Sequence, residues 1–407
     1  MMKELCIVNC CCKGAIYGVG TYIEEYMYCL TNLGFNVTLV ELGKSEENKE
    51  FYIKEEGCIR TFFFPYPIVG EANLYYKGVC RLLQLYIEDS ENLIFHLQYS
   101  PCEALLYGVK HYFPLSKSIF TIHYLHWRTA LLGNVELYKK IIRNKTNEIF
   151  KNKYNEIIVN FLNEKSFLEK IDRIVCLSDD TLDLIQNLYE IKHNVWQIQN
   201  GLRTNKRRLS MKKNKLRKKY LINPNEKLLL FVGRIEPIKG IESLIICFKK
   251  VLKKYQNCSL VVVGDGNLND AIKLCKKYWN KIIFTGRLDK ETLFQWYMMA
   301  DIALFPSYNE ECSYVGIEMM MHGLPIIASD GYSVKNMFYD GINSRVAKIE
   351  SWKTNTMFIK NLKEAILQVL SSDILKSNLK KGAISMYQSK YGIEQMQSGY
   401  EKLINSL

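Results

Sequence analysis

DIALFPSYNEECSYVGIEMMMHGLPIIASD, residues 301–330, decides how the chain folds. Its first apolar run, Ile302 to Phe305, is a strand that Pro306 ends, because proline brings no N–H to a strand ladder. A loop carrying Glu310 and Glu311 follows. From Ser313, an N-cap residue, the spacing of Val315, Ile317, Met319, Met320 and Met321 predicts a helix, with Gly323 as its stop. Pro325-Ile-Ile-Ala then starts another buried strand. Together these pieces place free backbone N–H groups and the positive end of a helix dipole beside two carboxylates. A ligand with a phosphate at one end and hydroxyls at the other suits that arrangement.

At 407 residues the chain exceeds what one hydrophobic core serves, so two domains are expected, and 48% apolar residues supply both cores. There is no uninterrupted apolar run long enough to span a bilayer. The N-terminus, MMKELCIVNCCCKG, lacks the apolar segment of a signal peptide, so a cytoplasmic location is expected. The 13 cysteines are scattered through apolar patterns, which fits buried free thiols better than zinc or disulfides. Formal net charge is +13, and much of the excess is local. RTNKRRLSMKKNKLRKK, Arg203 to Lys219, has no acid, and Lys139 to Lys170 is rich in Lys and Arg. Such runs form solvated linkers and helix faces, or they attract anionic lipid headgroups. No nucleic-acid-binding motif accompanies them.

The N-terminal half reads as strands alternating with helices: Lys3 to Cys10, Phe35 to Leu42, Cys58 to Phe64, Leu93 to Leu97 and Ser118 to Ile122. That alternation implies a parallel sheet covered on both faces. Gly14, Gly18 and Gly20 follow the first strand, in a loop that lets a ligand approach the backbone. Their spacing departs from the dinucleotide fingerprint, which disfavours an NAD site. Ser118 to Ile122 runs into His123-Tyr-Leu-His126-Trp127-Arg128, at the strand end where open α/β sheets place ligands. The segment from Ala130 to Lys170 is basic and helix-like. Asp172 to Ser178 is a further strand, with Ser178 capping the helix from Asp179. Asn200-Gly201 is a turn.

A second sheet begins with Lys227 to Val232, which ends in GRIEPIKG, residues 233–240. Arg234 and Lys239 there precede a helix from Ile241 to Lys254, an arrangement that can hold a diphosphate, Arg through two oxygens and Lys as a point charge. Leu260 to Val263 and Ile282 to Thr285 continue the sheet, the latter ending at Gly286-Arg287. Helical patterns fill Thr356 to Gln388 and Tyr391 to Leu407.

Glu310, seven residues, Glu318, a short turn and Gly323-Leu324-Pro325 form a pattern that resembles the signature of the family 4 glycosyltransferases, retaining enzymes of the two-Rossmann-domain GT-B fold. The order Gly-Arg-x-x-x-x-Lys-Gly at 233–240 is similar to the donor-diphosphate motif of that family. The resemblance implies two Rossmann-like domains facing a central cleft: an acceptor-side domain over 1–203, a basic linker over 204–226, a nucleotide-sugar domain over 227–388, and a helix over 389–407 that crosses back. It implies that Glu310 lies near the donor sugar and that Glu318 takes the ribose hydroxyls. Arg234, Lys239 and the backbone at Ser313, Tyr314 and Val315 would hold the diphosphate. Gly286 and Arg287 would lie near the base, Gly18 and Gly20 would face the donor, and His123, rather than His126, would be directed at the sugar.

The family usually has Gly-Phe-Gly and an apolar residue where this chain has Glu311, Cys312, Ser313 and Tyr314. The expected activity is transfer of a hexose-like sugar from a nucleoside diphosphate sugar to a hydroxyl of a glycan, lipid-linked or protein-linked acceptor. No strict Asp-x-Asp motif is present, in keeping with a metal-independent site that needs no cofactor. A nucleotide-sugar epimerase and a non-catalytic nucleotide-sugar-binding protein are the alternatives.

Overall fold

The computed structural model describes residues 3–10, 18–43, 50–65, 72–98, 102–204 and 212–407. The chain divides into two compact units, one of Met1–Trp127, Leu137–Gly201 and Ile393–Leu407, the other of Arg128–Glu136 and Leu202–Gly392. Gly14 and residues 205–211 of the basic run lie outside the described residues.

The first unit runs β1 (Glu4–Cys10), α1 (Gly18–Asn32), β2 (Asn36–Leu42), β3 (Tyr52–Glu56), β4 (Ile59–Phe64), α2 (Ala72–Leu83), β5 (Leu93–Gln98), α3 (Glu103–Tyr112) and β6 (Lys117–Ile122). The short α4 (Trp127–Ala130) spans the division between units, and α5 (Val135–Arg143), α6 (Glu148–Leu168), β7 (Arg173–Cys176), α7 (Asp179–Asn187) and β8 (Val195–Gln197) follow. The sheet order is β3-β4-β2-β1-β5-β6-β7-β8. All neighbours are parallel except β3 and β4, an antiparallel hairpin at the edge. Central strands such as β5 are buried along their whole length, as strands covered by helices on both faces must be. The hairpin differs from the single strand expected from Cys58 onward. β3, YIKEE, is exposed and charged, so it carries no apolar run to mark it, and its charges suit an unpaired sheet edge. Ser178 does cap α7, its hydroxyl accepting from the Thr181 N–H at 3.2 Å.

The second unit contains α8 (Lys213–Lys219), β9 (Lys227–Val232), α9 (Ile241–Leu252), β10 (Cys258–Val263), α10 (Leu268–Cys275), β11 (Ile282–Gly286), α11 (Lys290–Met299) and β12 (Ile302–Phe305). It continues with α12 (Tyr314–Met321), β13 (Ile326–Ser329), β14 (Ser344–Ala347), α13 (Thr356–Ser371) and α14 (Asp373–Met386). Its wholly parallel sheet has the order β11-β10-β9-β12-β13-β14. One face packs Leu229, Phe231, Leu260 and Leu304 against Leu244 and Phe248 of α9 and Leu362 and Ile366 of α13. Cysteines follow the apolar pattern: Cys247, Cys258 and Cys275 are free and buried here, and Cys6, Cys29 and Cys176 in the first unit.

The expected linker is partly structure. α8 contacts α11, and Arg217 is buried, its guanidinium donating to the Met299, Pro224 and Glu226 carbonyls and pairing with Asp301 at 2.6 Å. A fork of donors can satisfy three carbonyls and a carboxylate at once, which lets a residue from a basic run be buried. The last helix, α15 (Ile393–Asn405), belongs to the first unit, where the Tyr400 hydroxyl bonds that of Tyr22 on α1.

Candidate active site

In the parallel sheet of the second unit, the loops that follow β9 and β12 leave neighbouring strands at the same, carboxyl, edge. After β9 the chain makes a tight turn over Pro237–Lys239 and reaches Gly240 at φ +70°, a left-handed conformation. A β-carbon at Gly240 would also collide with the Pro306 carbonyl oxygen, so glycine is required twice over. The close approach lets the Tyr308 N–H donate to Ile238 O at 2.8 Å. The two loops are therefore stitched together, and Lys239 Nζ meets Glu310 Oε1 at 2.7 Å with both side chains largely out of solvent. Glu310 N–H in turn donates to Tyr332 O at 3.0 Å.

Arg234 does not join that pair. Its Nη1 lies 2.7 Å from Glu236 Oε1 on the same loop, and both side chains are partly exposed. Gly286 ends β11 at φ +69° and accepts from the Gly264 N–H at 2.9 Å, while Arg287 is exposed.

α12 starts at Tyr314, with Ser313 extended at the N-cap position (φ −72°, ψ 123°). The expected side-chain cap is not made. The Ser313 N–H faces Met337 Sδ at 3.3 Å instead, and no helix N–H bonds to its hydroxyl. Gly323 ends the helix at φ +59°. Glu318 lies on α12 and is buried, its Oε2 accepting from the Tyr297 hydroxyl of α11 at 2.8 Å. Removal from water pushes its carboxyl up to about 7, against the Tyr297 bond and the Lys290 charge, which favour ionisation.

Glu311, next to Glu310, is buried and forms an ion pair with Arg128, whose guanidinium stacks 5.1 Å from the centre of the Tyr332 ring. Arg128 opens the segment that the N-terminal half contributes to the second unit. That segment turns at Gly133, φ +81°, where a β-carbon would come within 2.8 Å of Asn309 Cβ. Gly133 thus presses on the loop that carries Glu310.

In the first unit, His123 follows β6, and its Nε2 lies 2.8 Å from Gln98 Oε1 at the end of β5. The Tyr22 ring packs edge-on at 4.6 Å. Burial pushes the imidazole down to about 3, so it is neutral at physiological pH. Gly18 and Gly20 lie in the first turn of α1, which begins at Gly18, and not in the loop ahead of it.

Two family models divide the chain, Glycosyltransferase Family 4 over residues 16–206 and Glycosyl transferases group 1 over residues 212–386. The chain belongs to glycosyltransferase family 4. An uncharacterised glycosyltransferase of Methanocaldococcus jannaschii is 28% identical over 57% of this chain and 60% of its own length. The alpha-monoglucosyldiacylglycerol synthase of Streptococcus pneumoniae is 30% identical over 43% of this chain and 41% of its own. The match therefore spans less than two thirds of either relative. Among solved structures, sucrose-phosphate synthase from Thermosynechococcus elongatus superimposes with a TM-score of 0.75 at 16% identity, covering 99% of this chain and 98% of that one. HepE of Anabaena in complex with UDP-glucose gives 0.67 at 13% identity, with 100% of both chains covered. These likenesses establish the GT-B fold.

In this family 4 glycosyltransferase the second unit gathers Lys239, Glu310 and the start of α12, while His123 and the α1 glycines belong to the first unit. Sequence reasoning missed Arg128, Tyr297 and the pairing role of Glu311. Arg128 sat in a noticed cluster, but nothing in a sequence says which distant acid an arginine meets. No group of three or more His, Cys, Asp or Glu side chains arranged to hold a metal occurs among the described residues.

Proposed function

We propose that this glycosyltransferase moves a hexose from a nucleoside diphosphate sugar to a hydroxyl of a glycan, lipid-linked or protein-linked acceptor, with retention at the anomeric carbon. The observation that carries the reading is the Lys239–Glu310 pair, which sets a cation and a carboxylate side by side at the carboxyl edge of a parallel sheet, on the loop that leads into α12. As the donor bond breaks, negative charge gathers on the diphosphate and positive charge on the sugar ring. Lys239, Arg234 and the N–H groups at Ser313, Tyr314 and Val315 answer the first, and Glu310 answers the second. These cations take the place of a metal ion, and no cofactor is needed. Glu318 accepts the ribose hydroxyls, and Gly286 with Arg287 borders the base. His123, neutral, serves the sugar as a hydrogen-bonding group and not as an acid. Retention rests on family membership.

In this reading the enzyme works in the cytoplasm. No helix among the described residues is long and apolar enough to cross a membrane. α5 and α6 carry Lys140, Arg143, Lys151 and Lys153, and α6 also exposes Ile149 and Leu162, which suits peripheral contact with anionic headgroups.

The test is incubation with UDP-, GDP- and ADP-hexoses and a panel of hydroxyl acceptors, reading free nucleoside diphosphate, alongside thermal shift with UDP, GDP, ADP and NAD. Release of one diphosphate with glycosylated acceptor is expected. Release of an isomerised sugar without acceptor marks an epimerase instead, and nucleotide binding without turnover marks a non-catalytic protein.

A further inference from the structure

The two strands that lead into the donor loops begin side by side, β9 at Lys227 and its parallel neighbour β12 at Ile302, on the amino edge of the second sheet. β9 is six residues long, so the donor loops lie roughly 17 Å away at its other end. A cavity of ≈ 330 Å³ lies at these strand starts, with Ile302 and Leu370 as its apolar lining. α14 contributes Asp373, Lys376, Ser377 and Lys380, whose spacing puts them on one helix face, and Lys227 adds a third lysine. The charges there do not balance. Asp301, also at the cavity, is fully engaged: Oδ1 accepts from Lys213 Nζ at 2.8 Å, and Oδ2 from Arg217 Nη2 at 2.6 Å and the Leu228 N–H at 2.8 Å. Asp373 pairs with Lys376 at 2.6 Å, but its side chain is 98% exposed, where such a pair contributes little. Lys227 and Lys380 form no ion pair among the described residues. Five cations, Lys213, Arg217, Lys227, Lys376 and Lys380, thus gather around these two carboxylates. Burial lowers the proton affinity of Lys213, and the Arg217 and Lys380 charges lower it further, against its bond to Asp301. Like charges crowded at a concave, partly apolar surface repel one another and concentrate anions from solution.

We propose that this cavity is a second anion site, separate from the donor loops, that takes the phosphate or diphosphate group of a soluble ester or of a lipid headgroup. Lys227 and Lys380 bring unpaired charge to it, and lysine meets phosphate as a point charge. Lys376 turns from Asp373 to the ligand at little cost, since the exposed pair is weak, and the Ser377 hydroxyl donates a hydrogen bond. The volume leaves room beyond the phosphate for a small organic body against Ile302 and Leu370. The inference stands apart from the sugar-transfer reading, because no donor-loop residue lines the cavity.

The experiment is acetylation of the full chain by acetic anhydride at constant ionic strength, read lysine by lysine in mass spectrometry, with and without pyrophosphate. Pyrophosphate is expected to protect Lys227, Lys376 and Lys380 severalfold while Lys402, exposed on α15, is labelled as before. Lys239→Ala, which alters the donor loops, is expected to keep that protection. In Lys227→Gln and in Lys380→Gln the pyrophosphate concentration that half-protects Lys376 should rise about tenfold, and in the double variant about 100-fold. Melting without added anion separates binding from structure: cations held for a ligand repel one another in its absence, so Lys380→Gln should melt no lower than wild type. Unprotected lysines in wild type, protection lost in Lys239→Ala, an unchanged midpoint in the double variant, or a Lys380→Gln that melts several degrees below wild type overturns the proposal. Glycerol 3-phosphate and phosphatidylglycerol vesicles, the latter against phosphatidylcholine, assign the source. Protection by glycerol 3-phosphate marks a soluble phosphate ester, and protection by the anionic vesicles without it marks a lipid headgroup.

Discussion

Arg128 and Glu311 meet as an ion pair with both side chains withdrawn from solvent, and one partner neighbours Glu310 in the chain. The turn at Glu311 is held by the Arg128 guanidinium, which also stacks on the Tyr332 ring. Glu310 is thereby fixed from two sides, by Lys239 in front and by its neighbour's anchor behind.

Breaking this pair on one side leaves a buried charge uncompensated, at a cost of about 3–5 kcal/mol. Arg128→Ala and Glu311→Leu are each expected to lower the melting temperature by several degrees in calorimetry. The double variant Arg128→Met/Glu311→Leu should recover much of the loss. Losses that simply add in the double variant would mean the two side chains are not coupled.

Lys239→Ala removes the cation nearest Glu310 and should reduce kcat about 10²- to 10³-fold, the range for losing one preorganised charge partner of the transition state. Arg234→Ala, from a more exposed position, should act mainly through donor KM. Nucleoside diphosphate release by the purified variants is the measurement, and wild-type turnover in both would remove the phosphate role.

The raised pKa of Glu318 makes stability depend on pH. Between its ordinary value of 4.5 and about 7, the folded chain binds this proton more tightly than the unfolded chain, so stability falls as pH rises through that window. The loss is complete above pH 7 and is on the order of 3 kcal/mol. Glu318→Gln should therefore compare more favourably with wild type at pH 8 than at pH 5 in thermal melts, while weakening nucleotide binding. An equal difference at both pH values contradicts the assignment.

At Gly240 the torsion and the nearby Pro306 carbonyl act together, so Gly240→Ala should cost more than the ~1–3 kcal/mol of a left-handed residue alone. Because Gly240 holds the β9 and β12 loops in contact, donor KM should rise as the melting temperature falls. A variant with unchanged KM would show that Lys239 reaches Glu310 without that contact.

The parallel strands were legible because buried strands are continuous apolar runs, and the loops at their ends were legible from glycine, proline and charge. β3 was not, since YIKEE at a sheet edge looks like any solvated segment. Arg217 sat in a run of cations that reads as solvent-facing, yet its fork reaches three carbonyls and Asp301. Ser313 had the right residue type for a cap, but Met337 took its N–H and no helix amide came to its hydroxyl. The partners of Arg128 and Glu318 are set by tertiary packing, which no local pattern encodes.

Unit membership alternates along the chain: Arg128–Glu136 joins the second unit before the first is complete, and Ile393–Leu407 returns to the first at the very end. During synthesis, then, the first sheet must wait for the final helix to leave the ribosome before α1 gains Tyr400, although its strands emerged long before. Severing the polypeptide near residue 203 would yield two fragments, each lacking a piece that the other carries.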